Sequence, residues 1–148
     1  MFIIDIAFTV LMLTSIWGRT NLIIESIAVF LCITQLICYL LAATVNPGLP
    51  RYDYQYKAEK PGFKGYFRKC EKCNLWIALD KKCYHCDKCG VCIEGYHHHC
   101  PWTTKCIGAR NIKLFYTFLV FTMGTLFYFI FAGLMMGIEQ RKKMQSNK

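Results

Sequence analysis

Residues 114–138 form a run of 25 residues without a single charged side chain. As an α-helix at about 1.5 Å per residue, such a run reaches about 37 Å, against a bilayer hydrocarbon core of about 30 Å. It fits poorly in a soluble globule and predicts a membrane-spanning helix. Two more apolar runs precede it. Residues 22–45 supply 24 residues, with Glu25 near the start and Gln35 inside, and residues 2–17 supply 16 with one charge, Asp5. The run 2–17 is short for a span. It also lacks the positive start of a secretory signal, so it is expected as the first helix of a two-span hairpin over 2–45, closed by Gly18-Arg19-Thr20-Asn21. Asn46-Pro47-Gly48-Leu49-Pro50 ends the second span, since its prolines lack a backbone donor and Gly48 tolerates a positive φ.

Charge orients these spans. The linker and cysteine-rich stretch over 46–113 carry 13 Lys/Arg against 6 Asp/Glu. That basic excess assigns 46–113 to the cytosolic side and, two spans earlier, the N-terminus as well. The basic tail 139–148 then falls on the lumenal side, where Arg141, Lys142 and Lys143 snorkel to headgroups, unless a fourth span follows. A hydrophobic content of 55% excludes a disordered chain. Within the spans, Gly133-Leu134-Met135-Met136-Gly137 fits the small-xxx-small pattern of close helix packing, a pattern frequent by chance. Cys32 and Cys38 read as small hydrophobes.

The stretch 70–113 is of another kind. Eight of the ten cysteines lie between Cys70 and Cys106, together with all four histidines. Cys70-x2-Cys73 is followed by eleven residues, then His85-Cys86-x2-Cys89-x2-Cys92, then four residues, His97-His98-His99-Cys100, and Cys106. Eight ligands serve two tetrahedral zinc ions, and three cysteines with one histidine are an accepted set. In the reducing cytosol, metal is favoured over disulfides. The ladder Cys83-x2-Cys86-x2-Cys89-x2-Cys92 approaches an iron–sulfur run, but the spacing differs and the neighbouring histidines favour zinc. A stretch this small cannot fold by burial alone, so metal supplies its folding energy, and short hairpins and loops around two ions are expected. Lys69, Lys72, Lys81, Lys82 and Lys88 offset the thiolate charge and read as a basic surface toward anionic lipid, with no role for nucleic acid.

Two sites use six cysteines and two histidines, so two of each remain. A free cysteine beside histidine is the arrangement of a nucleophile and its base. Cys100 follows His98 and His99 and precedes Pro101-Trp102. Spacing leaves open which of the three adjacent histidines bind metal. Cys83 reads as an extra exposed or packed thiol, with an alternate ligand or a secondary modification site as the sharper reading.

The residues 70–115 resemble the cysteine-rich domain of the DHHC protein S-palmitoyltransferases. The pieces that carry the resemblance are Cys70-x2-Cys73, His85-Cys86-x2-Cys89-x2-Cys92, His98-His99-Cys100-Pro101-Trp102, Cys106-Ile107-Gly108 and Asn111-x3-Phe115. Asn46-Pro47-Gly48 resembles the family's Asp-Pro-Gly after the second span. The resemblance implies an α-helical polytopic membrane protein with three transmembrane helices and a zinc-bound cytosolic domain. It implies one zinc on Cys70, Cys73, His85 and Cys92, and a second on Cys86, Cys89, His99 and Cys106. It further implies Cys100 as the acylated nucleophile, with His98 as its base and His97 in the orienting position. The co-substrate would be palmitoyl-CoA or another long-chain acyl-CoA, the acceptors cysteines of substrate proteins at the bilayer, and the compartment endoplasmic reticulum or Golgi. The family's acyl chain lies among its spans, so the eight Phe/Tyr of 114–138 are expected to line that cavity. Lys105, Arg110 and Lys113 are candidate partners for CoA phosphates.

This sequence departs from the family at three points. His97 stands where the family has Asp, so the base loses a carboxylate that orients it and stabilises its cation. The spacer before His85 lacks the family's proline and arginine. The fourth span and the later Thr-Thr-x-Glu motif are absent, so the chain reads as truncated after the third span. The expected function is protein S-acylation through Cys100. The alternative is a catalytically impaired, zinc-organised scaffold or regulatory partner; a ubiquitin-ligase type of zinc adaptor leaves Cys100 unexplained.

Overall fold

The computed structural model describes residues 6, 7, 9–11, 13, 14, 18, 21–63 and 65–146. The elements in order are α1 (Leu22–Thr44), α2 (Tyr52–Lys57), a single 3-10 turn (Pro61–Phe63), six short strands and α3 (Ile112–Ser146). The strands are β1 (Phe67–Lys69), β2 (Trp76–Ala78), β3 (Cys83–Cys86), β4 (Val91–Glu94), β5 (His98–Cys100) and β6 (Lys105–Ile107). They pair consecutively into three separate antiparallel hairpins. The chain divides into two compact units, Met1–Tyr39 with Tyr116–Lys148, and Leu40–Phe115.

Among the described residues two helices, not three, are long and apolar enough to cross a membrane. They are α1 and α3, and only 33% and 22% of their most apolar windows are buried, whereas the core helix of a soluble fold would be largely covered. The predicted first span, 2–17, lies largely outside the described residues; those described between 6 and 14 are helical. The third predicted span becomes part of a 35-residue helix that continues through the basic tail to Ser146. Nothing in the tail interrupts it: Glu139 and Lys143 pair at 3.3 Å one turn apart, and no glycine or proline follows Gly137.

In the first unit, Ala28, Cys32 and Phe129 form a buried cluster against which Leu13, Tyr128 and Met136 pack. The Tyr128 hydroxyl donates to the Ile24 carbonyl at 2.6 Å, satisfying its polar tip in apolar surroundings. Tyr39 meets Phe118 edge-on, with ring centroids 5.5 Å apart. Cys32 and Cys38 are buried in α1, as small hydrophobes are. A Cβ at Gly133 or Gly137 would meet nothing within 4 Å, so among the described residues no helix packs on that pair.

The second unit contains a repeat that spacing alone did not disclose. Each hairpin turns after a cysteine: Cys70, Cys86 and Cys100. Cys86 pairs with Val91 and Cys100 with Lys105, five residues on, while the Cys70 amide donates to the Leu75 carbonyl at 2.9 Å. Four residues after each cysteine the chain takes a positive φ, at Asn74 (58°), Gly90 (67°) and Thr104 (53°). Seven residues after each comes an isoleucine, Ile77, Ile93 or Ile107, no more than 1% exposed. One structural motif therefore occurs three times, each copy burying one isoleucine at the centre of a unit with few other aliphatics.

Turns and single side chains tie the copies to the rest of the unit. Asn46 Oδ1 accepts from the amides of Gly48 and Leu49 at 2.8 and 2.9 Å, closing the turn after α1. Gly48 holds φ +122° with the Glu94 carbonyl 2.9 Å from where a Cβ would sit, so the position excludes side chains. Gln55 of α2 both donates to and accepts from the Trp76 backbone, at 3.2 and 3.1 Å, extending the β2 edge. Asn111 is fully buried; its Oδ1 accepts from Gly108 N at 2.9 Å, and its Nδ2 donates to the carbonyls of Ala42 at 3.2 Å and Cys106 at 3.1 Å. That one amide joins the end of α1, the exit of β6 and the start of α3. Asn111→Ala strands those three backbone groups in a dry site, so it should destabilise the unit by about 3 kcal/mol, read as a lower melting temperature in detergent.

Candidate functional site

Two quartets of metal-type ligands come together: Cys70, Cys73, His85 and Cys92, and separately Cys86, Cys89, His99 and Cys106. Within each, the four ligand atoms lie within 4.8 Å of one another. In the first, Cys70 Sγ is 3.7 Å from His85 Nδ1, and Cys73 Sγ is 3.7 Å from Cys92 Sγ. In the second, His99 Nδ1 is 3.7, 3.3 and 3.7 Å from the sulfurs of Cys86, Cys89 and Cys106, and Cys89 Sγ is 3.3 Å from Cys106 Sγ. A tetrahedral ion with bonds of about 2.3 Å to sulfur and about 2.0 Å to nitrogen sets its ligand atoms about 3.5–3.8 Å apart. The separations of 3.7 Å fit that geometry, the two of 3.3 Å at Cys89 are somewhat tighter, and all are far beyond the about 2.05 Å of a disulfide. All ten cysteines are free thiols. The donor set, three sulfurs and one imidazole, is compatible with zinc.

The threefold motif explains this assembly. Each quartet takes the turn cysteines of one hairpin and a cross-strand pair from the next. Cys70 and Cys73 of the first turn meet His85 and Cys92, which face each other across β3 and β4. Cys86 and Cys89 of the second turn meet His99 and Cys106, facing across β5 and β6. The third turn is followed by α3 rather than by another hairpin, so Cys100 at its head is in neither quartet. A lone cysteine is the consequence of ending a relay, rather than of surplus residues.

Electrostatics differs among the sulfurs. The Cys73 backbone N–H, aimed at Cys70 Sγ, is the chief cause of a Cys70 pKa lowered to about 6; burial opposes it and the Lys72 N–H assists. For Cys86 burial is the largest influence and raises the pKa, yet the backbone N–H of Cys89 and further hydrogen bonds bring it down overall. The turn thus stabilises the thiolate at the first position of each metal-type loop. Burial pushes the Cys92 and Cys106 thiols up. Cys83 lies outside both quartets, 3% exposed, and burial with the nearby Glu94 carboxylate raises its pKa to about 11. It is a packed, protonated thiol.

Sequence reasoning overlooked Asp87. Its carboxylate pairs with Lys72 at 2.6 Å and lies 3.7 Å from His85 Nε2, the nitrogen turned away from the Cys70 sulfur. A carboxylate behind a ligating imidazole orients the ring. Its position between Cys86 and Cys89 was the available signal.

Cys100 is 1% exposed. It ends β5, whose residues alternate between faces, so His99 points toward the second quartet while His98 and Cys100 share the opposite face. His97 Nδ1 lies 2.7 Å from His98 Nδ1. The His98 ring also stacks edge-on with Phe115 at 5.3 Å between centroids. One histidine donates and the other accepts in that contact; with His98 donating, its Nε2 carries the lone pair. Burial lowers the His98 pKa, with the neighbouring His97 and His99 adding to the effect, so the ring is neutral near pH 7. Of the three candidate phosphate ligands, Lys105 is engaged elsewhere, donating to the Thr44 carbonyl at 2.9 Å at the end of α1. In the first unit a groove of about 780 Å³ is lined in part by Ile24, Ile27, Tyr128, Phe131 and Met135. Of the eight aromatics expected around an acyl chain, Tyr128 and Phe131 line it.

Comparison with known proteins matches residues 64–148, more than half of the chain, to the family model described as DHHC palmitoyltransferase. Palmitoyltransferase PFA3 of Saccharomyces cerevisiae is 46% identical over 66 residues, which are 45% of this chain and 18% of that protein. Palmitoyltransferase akr1 of Schizosaccharomyces pombe is 40% identical over 80 residues, 52% of this chain and 12% of that protein. Palmitoyltransferase swf1 of the same yeast is 33% identical over 104 residues, 64% of this chain and 27% of that protein. The chain spans less than a fifth of the length of the PFA3 relatives it matches.

Proposed function

The chain belongs to the DHHC palmitoyltransferase family, and from that premise we propose that it moves a long-chain acyl group, palmitoyl among them, from acyl-CoA to cysteines of substrate proteins through an acyl-cysteine at Cys100. One observation carries the reading: the two ligand quartets consume every other cysteine of the hairpins except the packed Cys83, and leave Cys100 on the same strand face as His98. Zinc in the two quartets would supply structure, locking the hairpins that present this face.

The chemistry follows from the residues. Cys100 Sγ attacks the thioester carbonyl carbon, and its proton passes to His98 Nε2. The bond between the carbonyl carbon and the CoA sulfur breaks, and His98 returns the proton to the leaving CoA thiolate. In the second half the substrate thiol gives its proton to His98 and attacks the acyl-cysteine. Cys100 leaves as a thiolate and recovers the proton. His97 holds His98 Nδ1, which fixes the ring but adds no negative charge opposite the imidazolium that forms. The protein works as an integral, multi-pass membrane enzyme with its zinc unit in the cytosol, at endoplasmic reticulum or Golgi, where acyl-CoA and substrate cysteines meet the bilayer surface.

The test is incubation of the purified protein in detergent with a clickable long-chain acyl-CoA. Label released by hydroxylamine and mapped to Cys100 supports the reading. An unlabelled protein that retains two zinc ions per chain moves the assignment to the scaffold reading, which His97 in the carboxylate position favours.

His97→Asp gives a second, independent prediction. A carboxylate beside His98 puts a negative charge where an imidazole stands and raises the pKa of His98. Acylation should speed up by about ten- to a hundredfold, since the loss of such a carboxylate costs about 10⁴ in a serine protease and a cysteine depends on it less. The acidic limb of the pH–rate profile should move to higher pH, because a stronger base is protonated sooner as pH falls. Equal rates and an unmoved limb would show that His97 does not act on the base.

A further inference from the structure

We propose that the Thr103 hydroxyl is a catalytic hydrogen-bond donor to the thioester carbonyl oxygen at Cys100. The proposal rests on the acyl-transfer reading above and names a residue that neither the metal quartets nor the histidine run includes.

Two independent observations carry it. The first is the threefold turn. Cys70 and Cys73, then Cys86 and Cys89, stand at the first and fourth positions of the first two turns, and in both their side chains converge on one point between them. The third turn has the same length before its pairing partner and the same positive φ one residue after that fourth position. Thr104 keeps φ 53° although it is β-branched, a conformation that such a residue adopts only when the turn demands it. Thr103 therefore occupies the fourth position, the place from which the second cysteine of each metal loop reaches toward the first.

The second observation is that the hydroxyl has nothing to bond to. Thr103 is 3% exposed, and Thr103 Oγ1 is one of three buried side-chain oxygens without a hydrogen-bond partner among the described residues. The others, on Glu94 and Thr125, lie away from this turn in sequence. A buried orphan hydroxyl is a standing cost that calls for an explanation, and a catalytic role is one that natural folds use. If that partner were the Cys100 sulfur, the bond would already exist in this structure. The group that arrives with the reaction is the carbonyl oxygen of the acyl donor.

As Cys100 Sγ bonds to the carbonyl carbon, the C=O electron pair moves onto oxygen. The Thr103 O–H donates to that oxygen without transferring its proton. When the tetrahedral intermediate collapses, the C=O re-forms and the C–S bond to CoA breaks. Donors aimed where charge develops, in a dry site, contribute about a hundredfold or more each.

The experiment uses the full chain in detergent with acyl-CoA labelled ¹³C at the carbonyl. The infrared C=O stretch of the acyl-enzyme is measured for wild type, Thr103→Val and Thr103→Ser, together with single-turnover acylation rates and melting temperatures. The expected result is a wild-type carbonyl stretch below that of acyl-CoA in the same detergent. Thr103→Val should lose that shift and acylate about a hundredfold more slowly, yet melt higher, because it removes the orphan. Thr103→Ser should restore the rate and the shift. An unshifted wild-type carbonyl overturns the proposal even if Thr103→Val fails to fold, and so does a Thr103→Val enzyme at wild-type rate. If Thr103→Ser is as slow as Thr103→Val, the residue acts by shape alone and the proposal fails. An acyl-enzyme with an unshifted carbonyl leaves the acyl-transfer reading intact; failure of wild type to form any acyl-enzyme overturns both.

Discussion

Cys100→Ser is expected to abolish hydroxylamine-labile acylation, by on the order of a thousandfold or more, while both metal sites stay filled. Serine is nearly isosteric, so a residue 1% exposed is replaced without a cavity, and none of the eight ligands is touched. What is lost is ionisation: a thiol yields a useful fraction of anion near neutral pH and a hydroxyl does not. No other sulfur is placed to substitute. Cys83 is buried with its pKa raised to about 11 and stays protonated. Cys32 and Cys38 are buried within α1. The remaining seven cysteines besides Cys100 comprise the six in the quartets and Cys83 itself. Cys83→Ser, run alongside, should label like wild type. Persistent label in Cys100→Ser would remove Cys100 from the mechanism.

Stripping the metals should unfold the second unit. Its largest fully buried aliphatic side chains are Ile77, Ile93 and Ile107. Each contributes about 2–3 kcal/mol on burial, small against an ordering cost of about 1–2 kcal/mol for each backbone residue fixed. Two structural zinc sites contribute on the order of 10 kcal/mol each. The hairpins of three or four residues per strand are too short to persist alone. A strong chelator is therefore expected to expose 67–107 to protease and to abolish acylation, with both recovered on adding zinc back. Cys106→Ala should do the same to its own site, because it breaks one quartet and its register with His99. Hairpins that resist protease after complete metal removal would contradict a fold organised by metal. The α1–α3 contacts in the first unit depend on apolar packing and should survive either treatment.

Much of this molecule can be read from residue order. The apolar runs at 22–45 and 114–138 correspond to α1 and α3, since a segment that long and apolar satisfies its backbone in lipid as a helix. The two ligand sets implied by the family resemblance are the two groups that the structure brings together. The apolar run ends at 138, where charge begins, but helix propagation needs only the absence of breakers, so α3 continues through 139–146. Asp87 was missed because its place between Cys86 and Cys89 does not show that its carboxylate reaches His85 Nε2, at 3.7 Å.

By itself the sequence determined that this chain has helices long enough for a bilayer and a stretch with ligands enough for two metal ions, because length without charge and the count of soft ligands are one-dimensional quantities. Only the tertiary structure decided why Cys100 is spared. Each quartet closes by joining one turn to the next hairpin's strand pair, and the third turn has no successor. That is a relation among side chains distant along the chain, set by strand register and by a positive φ at Asn74, Gly90 and Thr104. The same three-dimensional relation puts His98 and Cys100 on one face of β5 and His99 on the other, because alternate residues of a strand face opposite ways.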